Sequence, residues 1–183
     1  MRIGLLLALL ISSTAMAQEF NKFQVGAGLG YAQTTQRKGV TVYVEPRYRF
    51  VECVAVFAKL ETATMASIQT SDPAATIISF SLGGQYYFGR NKFRPFAGAG
   101  IGSYYLSSDF LAGGFQSINS FGYYPRVGFD YGQLNITFDY NIITEKIPET
   151  TTILGLPAGT TTQREANHFC LKIGYFFGNR SVN

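Results

Sequence analysis

From Phe23 onward the chain alternates apolar and polar residues in runs of about ten, and the alternation returns as far as Phe177. One run is especially regular: Val40, Val42, Val44, Tyr48 and Phe50 share one parity, while Thr41, Tyr43, Glu45, Arg47 and Arg49 share the other. Successive side chains of a strand point to opposite faces, so a period of two predicts a strand with one apolar and one polar side. Leu134, Ile136, Phe138, Tyr140 and Ile142 alternate in the same way with Asn135, Thr137, Asp139 and Asn141. Near the end, Phe169, Leu171, Ile173, Tyr175 and Phe177 stand opposite His168, Cys170, Lys172 and Gly174. Read along the whole chain, the pattern predicts strands at 23–33, 40–50, 54–65, 76–88, 94–106, 119–131, 134–143 and 167–177.

The connections alternate too. Thr34–Gly39, Ala66–Ala75, Ser107–Ile118 and Thr144–Ala166 are six to twenty-three residues long, whereas Val51–Cys53, Gly89–Phe93 and Gly132–Gln133 are short. Long loops at one end and tight turns at the other suit antiparallel strands that run up and down across a membrane, with the tight turns on the periplasmic side. Beyond the first residues, no segment is apolar for the roughly 20 residues that a spanning helix needs. Strands inside lipid must close on themselves, because no water is there to satisfy a free edge. The expected fold is therefore all-β: an eight-stranded antiparallel up-and-down transmembrane β-barrel. Phe23, Phe50, Phe88, Phe93, Phe129, Tyr131 and Phe177 near the short turns, and Tyr31, Tyr105, Phe121 and Tyr123 towards the loops, suit the two aromatic girdles of such a barrel.

Residues 1–17 read as a signal peptide, with Arg2, an apolar stretch from Ile3 to Ile11 and the small-residue box Ala15, Met16 and Ala17. Removing them leaves 18–183 as one barrel domain, expected in the outer membrane of a Gram-negative-type bacterium. That remainder carries fourteen basic and eleven acidic side chains, a net charge of +3, too mild to indicate a nucleic-acid partner.

The polar face is unusually rich in charge. Glu45, Glu61, Asp130 and Asp139 share it with Arg47, Arg49, Lys59, Arg126 and Lys172. Eight strands leave a lumen that side chains just fill, so these four acids and five bases are expected to pair across it as a plug. A gated ion path is the competing reading. Pro46, Pro95 and Pro125 remove ladder donors, which predicts bulges or locally broken pairing. The inward glycines of the first and fifth strands are expected to make room for Tyr43, Tyr87 and Arg126. Cys53 and Cys170 lie at different heights, roughly 15 to 20 Å apart, and are expected to remain free thiols.

Little here signals chemistry. One histidine and two separated cysteines do not supply the spacing of a tetrahedral metal site, and Asp72, Asp109, Glu145 and Glu149 are too dispersed for calcium. Neither a cofactor nor a catalytic constellation is expected. Outer-membrane lipids and lipopolysaccharide are the expected surroundings, with Arg37 and Lys38 of the first loop placed to meet phosphates. The last loop, Ile147 to Thr162, is rich in threonine and β-prone, which suits an edge for an extracellular partner.

The alternating strands, the segment Arg94–Tyr105 (RPFAGAGIGSYY), the pairs Pro46-Arg47 and Pro125-Arg126 and the aromatic last strand resemble the small outer-membrane β-barrel family that includes OmpX and the membrane domain of OmpA. The resemblance spans essentially all of 18–183. It implies a non-enzymatic barrel with surface loops used in adhesion or defence. It also implies that the last strand is read by the outer-membrane assembly machinery, with Lys172, Gly174, Tyr175 and Phe177 matching that signal. Some barrels of this architecture are lipid A modifying enzymes, for which His168 beside Cys170 is the candidate pair. A soluble lipocalin-like carrier would use the same strands with the faces reversed.

Overall fold

The computed structural model describes residues 22–68, 74–89, 92–108, 116–144, 146–153, 156–165 and 167–178; residues 1–17, expected to be a signal peptide, fall outside them. Eight strands form the barrel: β1 (Phe23–Gln33), β2 (Arg37–Val51), β3 (Val54–Ser67), β4 (Ala75–Tyr87), β5 (Phe93–Ser108), β6 (Gln116–Tyr131), β7 (Leu134–Ile143) and β10 (His168–Phe177). Between the last two, β8 (Lys146–Ile153) and β9 (Leu156–Glu165) make a separate two-stranded sheet. Each barrel strand pairs antiparallel with its neighbour, and β10 returns to pair with β1 from Val25↔Phe177 to Gln33↔Phe169, which closes the cylinder. Among the described residues no helix is long and apolar enough to cross a membrane.

Several strands run further at the long-loop end than the apolar pattern indicated. Pairing continues through Arg37↔Ser67 and Gln33↔Lys38, so Arg37 and Lys38 belong to β2 and not to a loop. The polar top of a strand keeps its ladder but loses the alternation that reveals it. Likewise, the last loop does not simply prolong β7 and β10. Asn141 pairs with His168 and Lys146 with Glu165, so five steps on one side answer three on the other, and the hairpin forms its own sheet.

The faces sort as the alternation demands. Val40, Val42, Val44, Leu60, Phe80, Leu82, Val127 and Leu171 are exposed on the outside, as are the aromatics Phe23, Phe50, Phe88, Phe93, Tyr131 and Phe177 near the short turns. Charged groups of the same strands are buried inside. A lipocalin-like carrier requires the reverse, and that alternative is excluded.

The prolines interrupt pairing without shifting it. Between β2 and β3 the pairs run from Val44↔Leu60 to Arg47↔Phe57 in unchanged register, with Glu45 and Pro46 left out. Across β6 and β7, Tyr124 and Pro125 are skipped in the same way between Tyr123↔Ile142 and Arg126↔Asp139. Each proline is still paired on its other side, Pro46 with Val25 and Pro125 with Ala99, so the missing donor costs a local gap and no bulge forms. Pro95 sits at the rim, where its carbonyl accepts from Phe88 N at 2.9 Å. The β2–β3 register shift lies instead between Arg49 and Val51, at the turn. Gly132, with φ of 61°, lets β6 reverse into β7 in two residues between Tyr131 and Leu134.

Candidate functional site

All nine charged residues of the polar face converge in the lumen, and each is at most 4% exposed. They form one continuous chain of alternating sign along the barrel axis. It begins near the short turns, where Arg49 Nη2 approaches Asp130 Oδ2 at 3.3 Å and Arg47 Nη1 approaches the same oxygen at 3.2 Å. Arg47 then donates from Nη2 and Nε to Glu45 Oε1, at 2.8 and 3.2 Å. The other carboxylate oxygen of Glu45 accepts from Arg126 Nη1 at 2.9 Å. Arg126 faces Asp139 at 3.6 Å, a longer ion pair in which neither Arg126 Nε nor Asp139 Oδ1 has a hydrogen bond. Asp139 Oδ2 accepts from Lys59 at 2.8 Å and from Lys172. Both lysines also reach Glu61 Oε2 at 2.8 Å, which ends the chain.

Aromatic side chains complete this arrangement. Arg47 lies 3.8 Å from the Phe176 ring centre, Lys59 4.0 Å from Tyr124, Arg126 4.2 Å from Phe57, Arg49 4.8 Å from Tyr87 and Lys172 5.2 Å from Tyr43. Every cation therefore has both an acid and the negative face of a ring, which offsets part of its lost hydration. Neutral donors complete Asp130: Tyr87 donates to its Oδ2 at 3.0 Å and Asn135 to its Oδ1 at 2.6 Å.

Glycines opposite the rings give them their space. A Cβ on Gly174 would lie 2.2 Å from the Tyr43 hydroxyl, and one on Gly100 would lie 2.5 Å from Tyr124. Tyr43, an expected beneficiary, is met by Gly28 of the first strand as well as by Gly174; Tyr87 and Arg126 are not among the nearest atoms of any described glycine, and the other close ring contacts fall on Phe57, Phe96, Tyr104, Tyr124 and Phe176. Those inward aromatics escaped the sequence reading, although each has the inward parity of its strand. Their apolar character had assigned them no role on a polar face.

Towards the long loops the lumen changes character. Ala32, Ala63, Met65, Ile77, Tyr104, Leu106, Ile143 and Cys170 pack into a buried apolar layer above the charges. His168 and Cys170 point inward and are buried, so neither is presented to lipid. Cys170 Sγ lies 3.3 Å from Glu61 Oε1, and Cys53 and Cys170 are both free. In the last strand, Lys172 joins the charge chain and Gly174 packs against Tyr43, while Tyr175 and Phe177 stack edge to face on the outer wall at 5.0 Å.

Known structures share this architecture. The chain is similar to Neisserial surface protein A, with 17% identity and a TM-score of 0.64 over 87% of this chain and 98% of that one. It is also similar to OprG of Pseudomonas aeruginosa, with 12% identity, a TM-score of 0.57, and coverage of 89% and 99%. The N-terminal β-barrel domain of Pseudomonas aeruginosa OprF follows at 11% identity and a TM-score of 0.50, covering 85% and 98%. At these identities the likeness carries the fold. No curated protein sequence matches significantly. A family model described as outer membrane protein beta-barrel domain matches residues 3–177, and with its closed eight-stranded barrel, apolar outside and charged inside, the chain belongs to that family and resides in the outer membrane of a Gram-negative-type bacterium.

Proposed function

We propose that the protein is a non-enzymatic, non-conducting outer-membrane barrel whose packed interior seals the lumen and whose long loops work at the cell surface, in adhesion or defence. The observation that carries this reading is the unbroken chain of buried ion pairs from Arg49 to Glu61, every cation of which also rests on a ring. An ion path needs hydrated or exchangeable sites, whereas each of these charges is already paired with an opposite one in a lumen that eight strands leave only wide enough for side chains. The inward placement of His168 and Cys170 supports the non-enzymatic reading, since lipid A would have to reach them through the wall.

The β8–β9 hairpin supports the surface role, because a two-stranded sheet offers unpaired backbone edges to an extended partner. Lys38, exposed on the outward parity of β2 at the loop end, is placed to meet lipopolysaccharide phosphates. Residues 1–17 direct export and are removed before Gln18. The assembly machinery then reads the last strand through Lys172, Gly174, Tyr175 and Phe177. Planar-bilayer recording of the purified barrel tests the seal: the expected trace shows no steady conductance, and a large steady conductance contradicts the proposal.

A further inference from the structure

Where the ionic and apolar parts of the lumen meet, three side chains of metal-binding type come together from distant parts of the chain. His168 and Cys170 are two residues apart on β10 and so share its inward face, while Glu61 comes from β3 on another part of the barrel wall. One ligand atom from each lies within 4.8 Å of the other two. Chain spacing brings His168 and Cys170 together but not their third partner, which is more than a hundred positions away.

We propose that Glu61, His168 and Cys170 form a binding site for a soft divalent ion of the zinc type. Two ligands of a tetrahedral zinc ion lie about 3.5 Å apart, given bond lengths of about 2.0 to 2.3 Å. The Cys170 Sγ to Glu61 Oε1 distance of 3.3 Å is already close to that value, and bringing atoms that lie within 4.8 Å to it takes a movement of at most roughly 1.3 Å. The thiol here donates to the carboxylate oxygen, so an ion takes the place of the thiol proton between sulfur and oxygen. The S–H bond breaks, the proton passes to water, and an S–metal bond forms; the site gains one net positive charge. The two lysines bind the other oxygen, Oε2, and leave Oε1 directed at the site.

Supporting groups hold these ligands in place. Thr41 Oγ1 donates to Glu61 Oε1 at 3.2 Å. Asn141 Nδ2 approaches Cys170 Sγ at 3.8 Å and is itself fixed by Tyr104, whose hydroxyl donates to Asn141 Oδ1 at 2.8 Å. Outer hydrogen bonds of this kind orient the ligands of known metal sites. Cys170 belongs to the apolar layer, but its sulfur lies at the edge of that layer, where it faces the Glu61 carboxylate and the Asn141 amide. One nitrogen, one sulfur and one oxygen donor select zinc or cadmium over calcium or magnesium, which take oxygen ligands.

Cadmium titration of the refolded full barrel in detergent, followed by the ultraviolet thiolate-to-cadmium charge-transfer band and by zinc competition, tests the site. The band is expected to saturate at a single ion per barrel, to be displaced by zinc and to survive Cys53→Ser. It is expected to vanish in Cys170→Ser, and binding is expected to weaken by at least about tenfold in His168→Ala and Glu61→Gln. Heat-modifiable gel migration shows whether each variant has folded. If Cys170→Ser does not fold, X-ray absorption of the zinc-loaded wild type decides, with one sulfur in the shell supporting the site and an all-oxygen shell overturning it. Absence of the band in the wild type, or its loss with Cys53→Ser and persistence in Cys170→Ser, overturns it as well.

Discussion

Two zones of one lumen are closed by different means. From Arg49 to Glu61 the space is filled by alternating charges held over aromatic rings, and above them Ala63, Met65, Ile77, Leu106 and Ile143 fill it as an ordinary apolar core does. The contrast teaches where each zone is vulnerable. An apolar layer loses stability in proportion to the volume removed. A buried charge that loses its partner keeps its desolvation penalty, so an ionic zone is far less tolerant of single changes than of paired ones. The outer wall supplies the reference for both, because lipid there penalises any charge.

The largest effect is expected from breaking the chain at its centre. Glu45→Ala removes the carboxylate between Arg47 and Arg126, leaving Arg47 with Asp130 alone and Arg126 with only its longer pair to Asp139, and should cost about 3–5 kcal/mol in urea unfolding of the refolded barrel. Removing Arg126 in the same molecule, which eliminates one weakly paired charge, should recover part of that loss. Next comes the wall: Val44→Arg, near the middle of β2, should cost about 2–4 kcal/mol by the same measurement. In the apolar layer Ile77→Val deletes one methylene and should cost about 0.5–1.5 kcal/mol. Replacing 146–165 by a short turn removes a hairpin whose ladder is separate from the barrel's and should change stability by less than about 0.5 kcal/mol. An Ile77→Val cost equal to that of Glu45→Ala would erase the distinction between the zones.

Much of this architecture was legible in the order of residue types. The period of two in β2, β7 and β10 assigned Val42, Leu171 and Phe138 to the outside and Arg47, Asp139 and Lys172 to the lumen, where the structure places them. Two kinds of feature were hidden. Strand tops such as Arg37–Gly39 and 116–117 keep their ladder pairing without an apolar alternation, so their ends looked like loops. Contacts across the lumen depend on barrel closure and stagger, which chain spacing does not encode. That is why Phe57 beneath Arg126, Phe176 beneath Arg47 and Glu61 beside Cys170 emerged only from the fold. The prolines show the intermediate case: the missing donors predicted disturbance, but pairing on the opposite edge kept the register at Pro46 and Pro125.

The sorting of faces is tested most directly by a nitroxide scan of positions 40 to 44 in lipid bilayers, with Cys53 and Cys170 replaced by serine. Collision rates with oxygen should oscillate with a period of two and peak at Val40, Val42 and Val44, where side chains meet acyl tails. Peaks at Thr41 and Tyr43, or no oscillation at all, would contradict a barrel that keeps its charges inside.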